Sequence, residues 1–332
     1  MKTHSNIPVF IPHLGCKNAC VFCSQTKITG VERAEPELEA ELKRVENIIT
    51  SSLETLESDA EIAFFGGSFT GIGEERMIAL LEKASGFVGG KIKGIRCSTR
   101  PDYIDRHICD ILRSYGVTSV ELGVQSTSQK VLDICRRGHK VSDSENAIRL
   151  LKEYGFETGG QMMIGLPGST PDDEIQTARD IVSYGADTTR IYPTVVFENT
   201  CLYDMTLGGT YVPLTIDEAL ERCAACARVF IEKNVKILRI GLYSSENMTS
   251  APYGATHPAM GELAEGEIYY SIIKEAAQKE ADSELTFLIP KGSLSKCIGH
   301  KGRNRDRFAL LGKTIRFVET DGLKQYDVRI KN

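Results

Sequence analysis

The sequence predicts an α/β fold, a partial, TIM-like (β/α)6 barrel followed by a small C-terminal α+β extension. Short apolar runs alternate with longer helical patterns from residue 7 to about 240, a rhythm typical of a parallel sheet. Glycine-rich turns follow several of these runs. The charge then changes sign: residues 291–331 carry eleven Lys/Arg and four Asp/Glu, net +7, whereas the rest of the chain carries 29 and 41, net −12. A basic segment on an acidic body predicts an anionic partner for that segment.

Length and composition predict a protein with a full hydrophobic core. The chain has 332 residues, of which 41% are hydrophobic, which favours one large domain with a smaller appendage. No apolar run is long enough to cross a bilayer, and the N terminus has no basic-then-apolar signal. We therefore expect a cytoplasmic protein without membrane association, whose ten cysteines are reduced thiols and metal ligands.

The predicted elements fill three regions: a barrel over residues 1–240, a capping extension over 241–283 and a basic segment over 284–332. Six runs rich in β-branched and aromatic residues predict the barrel strands, which are Ile7–Ile11, Ala60–Phe65, Gly94–Ser98, Ser119–Gln125, Glu157–Ile164 and Asp187–Tyr192. Helical patterns occupy the intervals, at Glu35–Leu56, Glu74–Phe87, Ile104–Tyr115, Ser128–Arg136, Ser142–Tyr154 and Pro171–Tyr184. In such a barrel the functional groups gather at the carboxyl ends of the strands.

Three cysteines follow the first strand in a C-x3-C-x2-C loop: Cys16, Cys20 and Cys23. Three thiolates can hold three irons of a four-iron cluster and leave the fourth iron open to a small ligand. Zinc is the alternative metal, because His13 lies near enough in sequence to be its fourth ligand.

The other strand ends also carry polar or glycine residues. Gly66 and Gly67 follow the second strand, where the lack of a Cβ lets backbone approach a ligand. In the fourth strand, Glu121 and Gln125 alternate with valine and leucine, which predicts a barrel interior that holds a polar ligand. The alternative is a polar pair whose hydrogen bonds are satisfied within the protein. Arg190 and Tyr192 end the sixth strand. A C-x2-C pair, Cys223 and Cys226, lies in the predicted helix 216–233 among small apolar residues and is predicted to pack there.

The basic segment contains a glycine loop, Gly299-His300-Lys301-Gly302, between two helical patterns and flanked by strands. This arrangement resembles the GXXG loop of KH domains, in which backbone amides and basic side chains clamp a few nucleotides of single-stranded nucleic acid. A solvated basic tail is the alternative interpretation.

The ordered set of motifs from residue 7 to 265 resembles the radical SAM superfamily, in the branch that contains the catalytic subunit of Elongator, a tRNA wobble-uridine modifying enzyme. The resemblance rests on Cys16/Cys20/Cys23, Gly-Gly-Ser (66–68), Ser-Thr-Arg-Pro-Asp (98–102), Glu-Leu-Gly-Val-Gln-Ser (121–126), Arg-Arg-Gly-His (136–139), Gly-Leu-Pro-Gly (165–168) and Ile-Tyr-Pro-Thr (191–194). Oxygen-independent coproporphyrinogen oxidase is similar, but less closely.

The resemblance implies two cofactors, a 4Fe-4S cluster on the three cysteines and S-adenosylmethionine (SAM). It places Gly66 and Gly67 against the amino group of SAM. Side chains that contact SAM are implied at Ser98, Gln125, Arg137 and Gln161, with Arg137 on the carboxylate. Ser68, which follows Gly67, is also a candidate cofactor-binding residue, although many members have Glu at this position. A low-potential electron donor is implied as a partner, since an electron entering the cluster would cleave SAM to methionine and a 5′-deoxyadenosyl radical.

The leading hypothesis is therefore a radical SAM enzyme that modifies RNA, with a tRNA-like substrate. Arg190 and Tyr192 are the candidate catalytic residues at the mouth. The candidate RNA-binding residues are Gly299, His300, Lys301, Gly302, Arg303 and Arg305. The Elongator subunit has a C-terminal acetyltransferase domain where this sequence has the basic segment, so acetyl transfer is not implied. The alternatives are a radical SAM enzyme acting on a small molecule such as a tetrapyrrole, and a non-catalytic zinc or RNA-binding adaptor.

Overall fold

A computed structural model describes residues 5–11, 14–16, 20–24, 36–242 and 251–331. Its main sheet is a curled half-barrel of seven strands, and every neighbouring pair is parallel. In order across the sheet these are β1 (Ser5–Phe10), β2 (Ala60–Phe65), β3 (Ile92–Thr99), β4 (Val117–Gln125), β5 (Glu157–Ile164), β6 (Thr188–Pro193) and β8 (Lys236–Ile240). The short strand β7 (Val195–Val196) lies outside this sheet and pairs antiparallel with β9 (Tyr253–Gly254).

The six predicted strands are confirmed, with ends that differ from the predicted ones by at most two residues. The predicted number of strands was one too low, because β8 also joins the sheet beside β6. This strand is at the sheet edge and only Ile240 in it is buried, so its sequence lacks the strong apolar signal of a central strand.

Helices occupy the chain between these strands. They are α1 (Leu38–Thr55), α2 (Glu74–Ser85), α3 (Arg106–Ser114), α4 (Gln129–Ile134), α5 (Val141–Glu153), α6 (Pro171–Tyr184), α7 (Cys201–Leu207) and α8 (Ile216–Glu232). The bounds of α6 match the prediction because its signals are strong. Thr170 and Asp173 form a capping box, Pro171 occupies the first turn, and Gly185 ends the helix in the left-handed conformation.

The alternation in β4 separates the core from the barrel interior, as predicted. Val120, Leu122 and Val124 are fully buried in the main hydrophobic core, while Glu121 lies on the opposite side among polar groups. The predicted packing role of Cys223 and Cys226 is also confirmed, since both belong to this core and burial raises the pKa of each thiol.

An ionic cluster fills the lower part of the barrel interior, near the amino ends of the strands. Arg96 of β3 contacts three carboxylates from three strands, at 2.8 Å to Glu61, 3.2 Å to Glu121 and 2.6 Å to Glu157. Arg96 is 5% exposed, and Glu61 is also bonded by the Ser119 hydroxyl at 3.0 Å.

The C-terminal part forms a second, smaller unit, and its predicted strand, helix, loop, helix and strand are confirmed. Its sheet has the order β11-β10-β12. Its elements are α9 (Met260–Gln278), β10 (Glu284–Pro290), α10 (Leu294–Ile298), α11 (Arg303–Leu310), β11 (Thr314–Thr320) and β12 (Arg329–Ile330). The first half of α9 packs in the barrel core, whereas Tyr269 and Tyr270 in its second half pack in a separate core with Phe287 and Phe308.

In the described ranges, no helix combines the length and the apolar character that a membrane span requires.

Candidate functional site

The cysteine loop lies at the carboxyl edge of the sheet, against the glycine turn that follows β2. Two backbone hydrogen bonds join the two loops, from the Ile11 N–H to the Phe65 oxygen (2.7 Å) and from the Ser68 N–H to the Leu14 oxygen (3.0 Å). The cysteine loop is therefore held by the neighbouring strand.

Gly67 makes this apposition possible. Its φ is +60°, and a Cβ there would lie 2.2 Å from the Leu14 carbonyl oxygen. On the other loop, a Cβ at Gly15 would lie 2.1 Å from the Ser68 oxygen. A side chain at Gly67 would thus point at the cysteine loop. Glycine is required here for the contact between the two loops, whereas the sequence analysis explained it only by the approach of a ligand. A contact of Gly66 and Gly67 with the SAM amino group stays a prediction.

Three neighbouring residues hold the second part of the cysteine loop, residues 20–24. The Val21 N–H donates to the Cys135 oxygen at 3.2 Å, and the Val21 oxygen accepts the Leu202 N–H at 2.8 Å. The Arg137 guanidinium donates through Nη1 to the Cys20 sulfur at 3.2 Å. A cation at this distance is an electrostatic partner for an anionic sulfur ligand.

The three thiols are half-buried and soft, which fits an iron–sulfur cluster. Among the described residues no three His, Cys, Asp or Glu side chains form a closed metal-ligand set. Residues 17–19 and His13, the ligand of the zinc alternative, lie outside the described ranges.

Three buried polar atoms without hydrogen-bond partners lie on residues predicted to contact SAM: Ser98 Oγ, Gln125 Oε1 and Arg137 Nε. Two of these residues meet beside Gly123, where a Cβ would lie 3.0 Å from Gln125 Nε2 and 3.3 Å from Arg137 Nη2. A buried polar atom costs free energy unless it finds a partner. Donors and acceptors that a small zwitterionic ligand such as SAM needs are therefore present near the carboxyl ends of β3 and β4, with Arg137 reaching them from the loop after α4.

The remaining predicted cofactor residues have partners within the protein. The Ser68 hydroxyl accepts the Arg100 N–H at 2.9 Å and lies 3.1 Å from the Thr99 hydroxyl. It is fully buried and serves the turn itself. Gln161 donates to Glu121 at 2.9 Å.

Arg190, a predicted catalytic residue, is held by a buried ion pair. Its Nε and Nη2 donate to the two oxygens of Glu121 at 2.5 and 2.9 Å, and its guanidinium lies 5.6 Å from the Phe65 ring centre. Burial raises the pKa of Glu121, but the hydrogen bond and charge of Arg190, with the charge of Arg96, outweigh it and keep that pKa below its usual value.

Tyr192, the other predicted catalytic residue, lies beside Arg190 and is also partly buried. Burial raises the pKa of its phenol to about 12, against the lowering effect of the Arg190 charge. The hydroxyl therefore stays protonated at neutral pH and can donate a hydrogen bond.

Sequence reasoning missed two buried basic residues near this site, Arg100 and His139. Arg100 is 3% exposed, pairs with Asp102 and leaves its Nη1 without a partner. Burial, then the charges of Arg137 and Arg100, lower the pKa of His139 to about 3, so its ring is neutral. Both stand inside motifs that carried the family resemblance, which was the only signal available for them.

The GXXG loop joins α10 to α11 through three residues with positive φ: Gly299 (76°), Lys301 (53°) and Gly302 (80°). His300, Lys301 and Arg305 are exposed, whereas Arg303 contacts Asp217 of α8 at 2.8 Å. The loop is thus presented to solvent at the surface.

Behind the loop, Asn304 is buried, and its amide donates to the Gly266 oxygen at 2.8 Å. A Cβ at Gly299 would lie 2.7 Å from the Asn304 Cγ. The Asn304 side chain therefore anchors the loop against α9.

Residues 10–181 match the Radical SAM superfamily, and residues 186–270 match the Radical_SAM C-terminal domain. The tRNA uridine(34) acetyltransferase of Methanocaldococcus infernus is 36% identical over 145 residues, which are 43% of this chain and 27% of that protein. Elongator complex protein 3 of Bos taurus is 33% identical over 138 residues, 40% of this chain and 25% of that protein. The matches thus span about a quarter of the length of these curated relatives.

Among solved structures, the archaeal Elp3 of Methanocaldococcus infernus with an N-terminal deletion superposes with a TM-score of 0.62. It is 22% identical and covers 82% of this chain and 63% of the Elp3 chain. This likeness shows a common fold.

Proposed function

Because the chain belongs to the radical SAM superfamily, we propose that it is an enzyme that modifies RNA, with a substrate of the tRNA class. Members of the superfamily use a 4Fe-4S cluster and SAM and need an electron donor. When bound, these groups supply one-electron chemistry that removes a hydrogen atom from the substrate. The protein itself binds, orients and shields the reacting groups.

Cys16, Cys20 and Cys23 hold the cluster in this proposal. Arg137 binds the SAM carboxylate through its free Nε–H, while Nη1 stays on the Cys20 sulfur. This guanidinium then links the cluster loop to SAM. Ser98 and Gln125 supply a hydroxyl and an acceptor whose buried oxygens have no partner in the protein.

Arg190 and Tyr192 orient the substrate at the mouth. The bidentate contact with Glu121 fixes the Arg190 guanidinium, and Phe65 covers one of its faces, which keeps water from that side. The protonated Tyr192 hydroxyl offers a donor for a carbonyl oxygen of a nucleobase.

The exposed GXXG loop is the observation that carries the RNA assignment. Two short helices frame three positive-φ residues, so that backbone amides and the side chains of His300, Lys301 and Arg305 are available together. This fits the clamping of a few nucleotides by their backbone. The names of two relatives, tRNA uridine(34) acetyltransferase and Elongator complex protein 3, favour tRNA as the RNA class.

Charge reversal in the loop tests the proposal. We expect Lys301→Glu/Arg305→Glu to weaken binding of a tRNA transcript in fluorescence anisotropy. Because two phosphate contacts are lost, the slope of log affinity against log salt should become less negative by about two. A variant with one reversal at each of two exposed sites elsewhere in the basic segment, Lys291→Glu/Arg329→Glu, has the same net charge and is the matched control.

Equal affinities and salt slopes for the two double variants would contradict RNA binding at this loop. Substitution of Gly299 is unsuitable for the test, since a side chain there collides with Asn304 and disturbs the loop itself.

A further inference from the structure

Two tyrosines, one half-buried and one exposed, form an aromatic surface at the rim of the barrel, which we call the tyrosine ledge: Tyr203 and Tyr253. Their ring centres are 6.2 Å apart, with the planes inclined by 36°. Tyr253 is 41% exposed. Leu207, one helical turn after Tyr203, is 61% exposed and extends the apolar surface. Neither the family motifs nor the proposed SAM contacts include these residues.

The ledge borders the cysteine loop. Tyr203 directly follows Leu202, whose N–H donates to the oxygen of Val21, a residue between Cys20 and Cys23. Tyr203 also packs against the same small hydrophobic cluster as Phe22. A group resting on the ledge is therefore close to the loop that holds the cluster.

The ledge is also joined to the GXXG loop. Tyr253 lies in β9, which pairs with β7 directly after the carboxyl end of β6. Four residues later, the His257 ring meets the His300 ring of the GXXG loop edge-on, with the centres 6.5 Å apart. Four residues span at most about 14 Å even when extended. A single extended ligand can therefore touch both the GXXG loop and the ledge.

The GXXG loop and the ledge differ in charge. The GXXG end carries the exposed cations Lys301 and Arg305. Around the ledge, the exposed carboxylates of Glu198 and Asp204 offset the exposed Arg136. Phosphates are therefore favoured at the loop, whereas the ledge favours the uncharged face of a base. Aromatic side chains bind unpaired bases by stacking, with little dependence on sequence.

Building on the proposed function, we infer that a single-stranded segment of the RNA runs from the Gly299–Gly302 loop past His257 to the tyrosine ledge. There one base stacks on Tyr253 and Tyr203. This stacking positions the neighbouring nucleotide at the barrel mouth, beside the cluster loop. Tyr253 and Tyr203 are thus substrate-positioning residues, and the enzyme selects RNA that is unpaired between the clamped and the reacting nucleotides.

Oligouridylates of two lengths test the path in the full-length protein. We expect Tyr253→Ala to weaken binding of a 12-nucleotide oligouridylate about tenfold, within the range of one lost base stack on an aromatic ring. A 4-nucleotide oligouridylate fills only the GXXG site, so its affinity should be unchanged. Tyr253→Phe keeps the ring and should retain wild-type affinity for both. Tyr184→Ala, at the carboxyl end of α6 and thus at the opposite end of the barrel, is the matched control.

Lys301→Glu should lower the affinity for both oligomers, and this result separates the inference from the proposed function. If the 12-mer binds Tyr253→Ala and Tyr184→Ala equally well while Lys301→Glu still weakens it, RNA binding stands and the stacking path is wrong. Equal weakening of both oligomers by Tyr253→Ala also contradicts the path. If the wild-type protein binds neither oligomer, the RNA function and the path fail together.

Discussion

At the scale of single residues, Glu121 has the most demanding position in the barrel. It is 1% exposed and accepts hydrogen bonds from Arg190, Arg96 and Gln161. A buried carboxylate of this kind costs solvation free energy that only its partners recover. Its two hydrogen bonds with Arg190 hold that guanidinium in one orientation.

Glu121→Gln should therefore destabilise the protein by about 3–5 kcal/mol at pH 7, because two guanidinium groups lose their shared anion. The pKa of Glu121 is lowered in the folded state, so its contribution is present above the unfolded-state pKa near 4.5 and is lost as pH falls. The difference between wild type and variant in urea unfolding should then shrink below pH 4.5.

The control for this prediction is Glu153→Gln, which removes an exposed ion pair with Arg106 and should leave the free energy of unfolding nearly unchanged at any pH. If the difference in unfolding free energy between wild type and Glu121→Gln stays constant from pH 7 to pH 3, the ionised carboxylate is not the stabilising species.

The sequence alone predicts which residues of β4 point inward, because alternation in a strand has a period of two. It does not predict the partners. Arg96 and Arg190 are 25 and 69 positions from Glu121 along the chain, and only the pairing of the strands brings them together. For the same reason the sequence does not predict that the Ser68 hydroxyl bonds with Thr99 and Arg100, and a contact of Ser68 with the cofactor stays a prediction.

At the scale of elements, the cysteine loop and the turn after β2 act as one unit, with Gly67 and Gly15 at their contact. Gly67→Ala should displace the cysteine loop, since its Cβ would overlap the Leu14 oxygen. We expect the iron bound per chain after anaerobic reconstitution to fall by more than half, measured by iron assay and by visible absorbance.

Gly90→Ala is a close control, because Gly90 has a similar φ of +55° but open space where a Cβ would stand. That variant should be destabilised only by the roughly 1–2 kcal/mol that a left-handed alanine costs, and it should keep its iron. If both variants lose iron equally, backbone strain rather than contact between the loops is responsible.

The elements themselves were largely predictable, because capping residues and apolar periods are local signals. The exception, β8, is instructive. An edge strand buries one side and is less apolar, and this one follows α8 after only three residues, so the helical pattern obscures its start. Its place beside β6 is a long-range fact that the local sequence does not contain.

At the scale of the whole molecule, α9 connects the barrel to the C-terminal unit. Its first half contributes Met260, Ala264 and Ile268 to the barrel core, and its second half contributes Tyr269 and Ile273 to the other core. Each core can therefore be weakened separately, although both depend on one continuous helix.

Phe308→Ala should show this separation. Phe308 is 1% exposed and lies 5.0 Å from the Tyr270 ring, so its loss should cost about 3–5 kcal/mol in the C-terminal unit. We expect tRNA affinity in fluorescence anisotropy to fall while reconstituted iron stays near the wild-type amount. Leu310→Ala, on the same helix but 87% exposed, should leave both unchanged. Loss of iron along with RNA binding in Phe308→Ala would instead indicate a single cooperative unit.

The Arg96 cluster closes the floor of the described half-barrel, since carboxylates from β2, β4 and β5 converge on one guanidinium. A molecule that binds at the cysteine loop therefore has to approach it from the rim. Under the proposed function, the electron donor and the RNA both approach the cysteine loop from this rim. We therefore expect an order of arrival in each turnover, in which the donor binds and leaves before the nucleotide is seated.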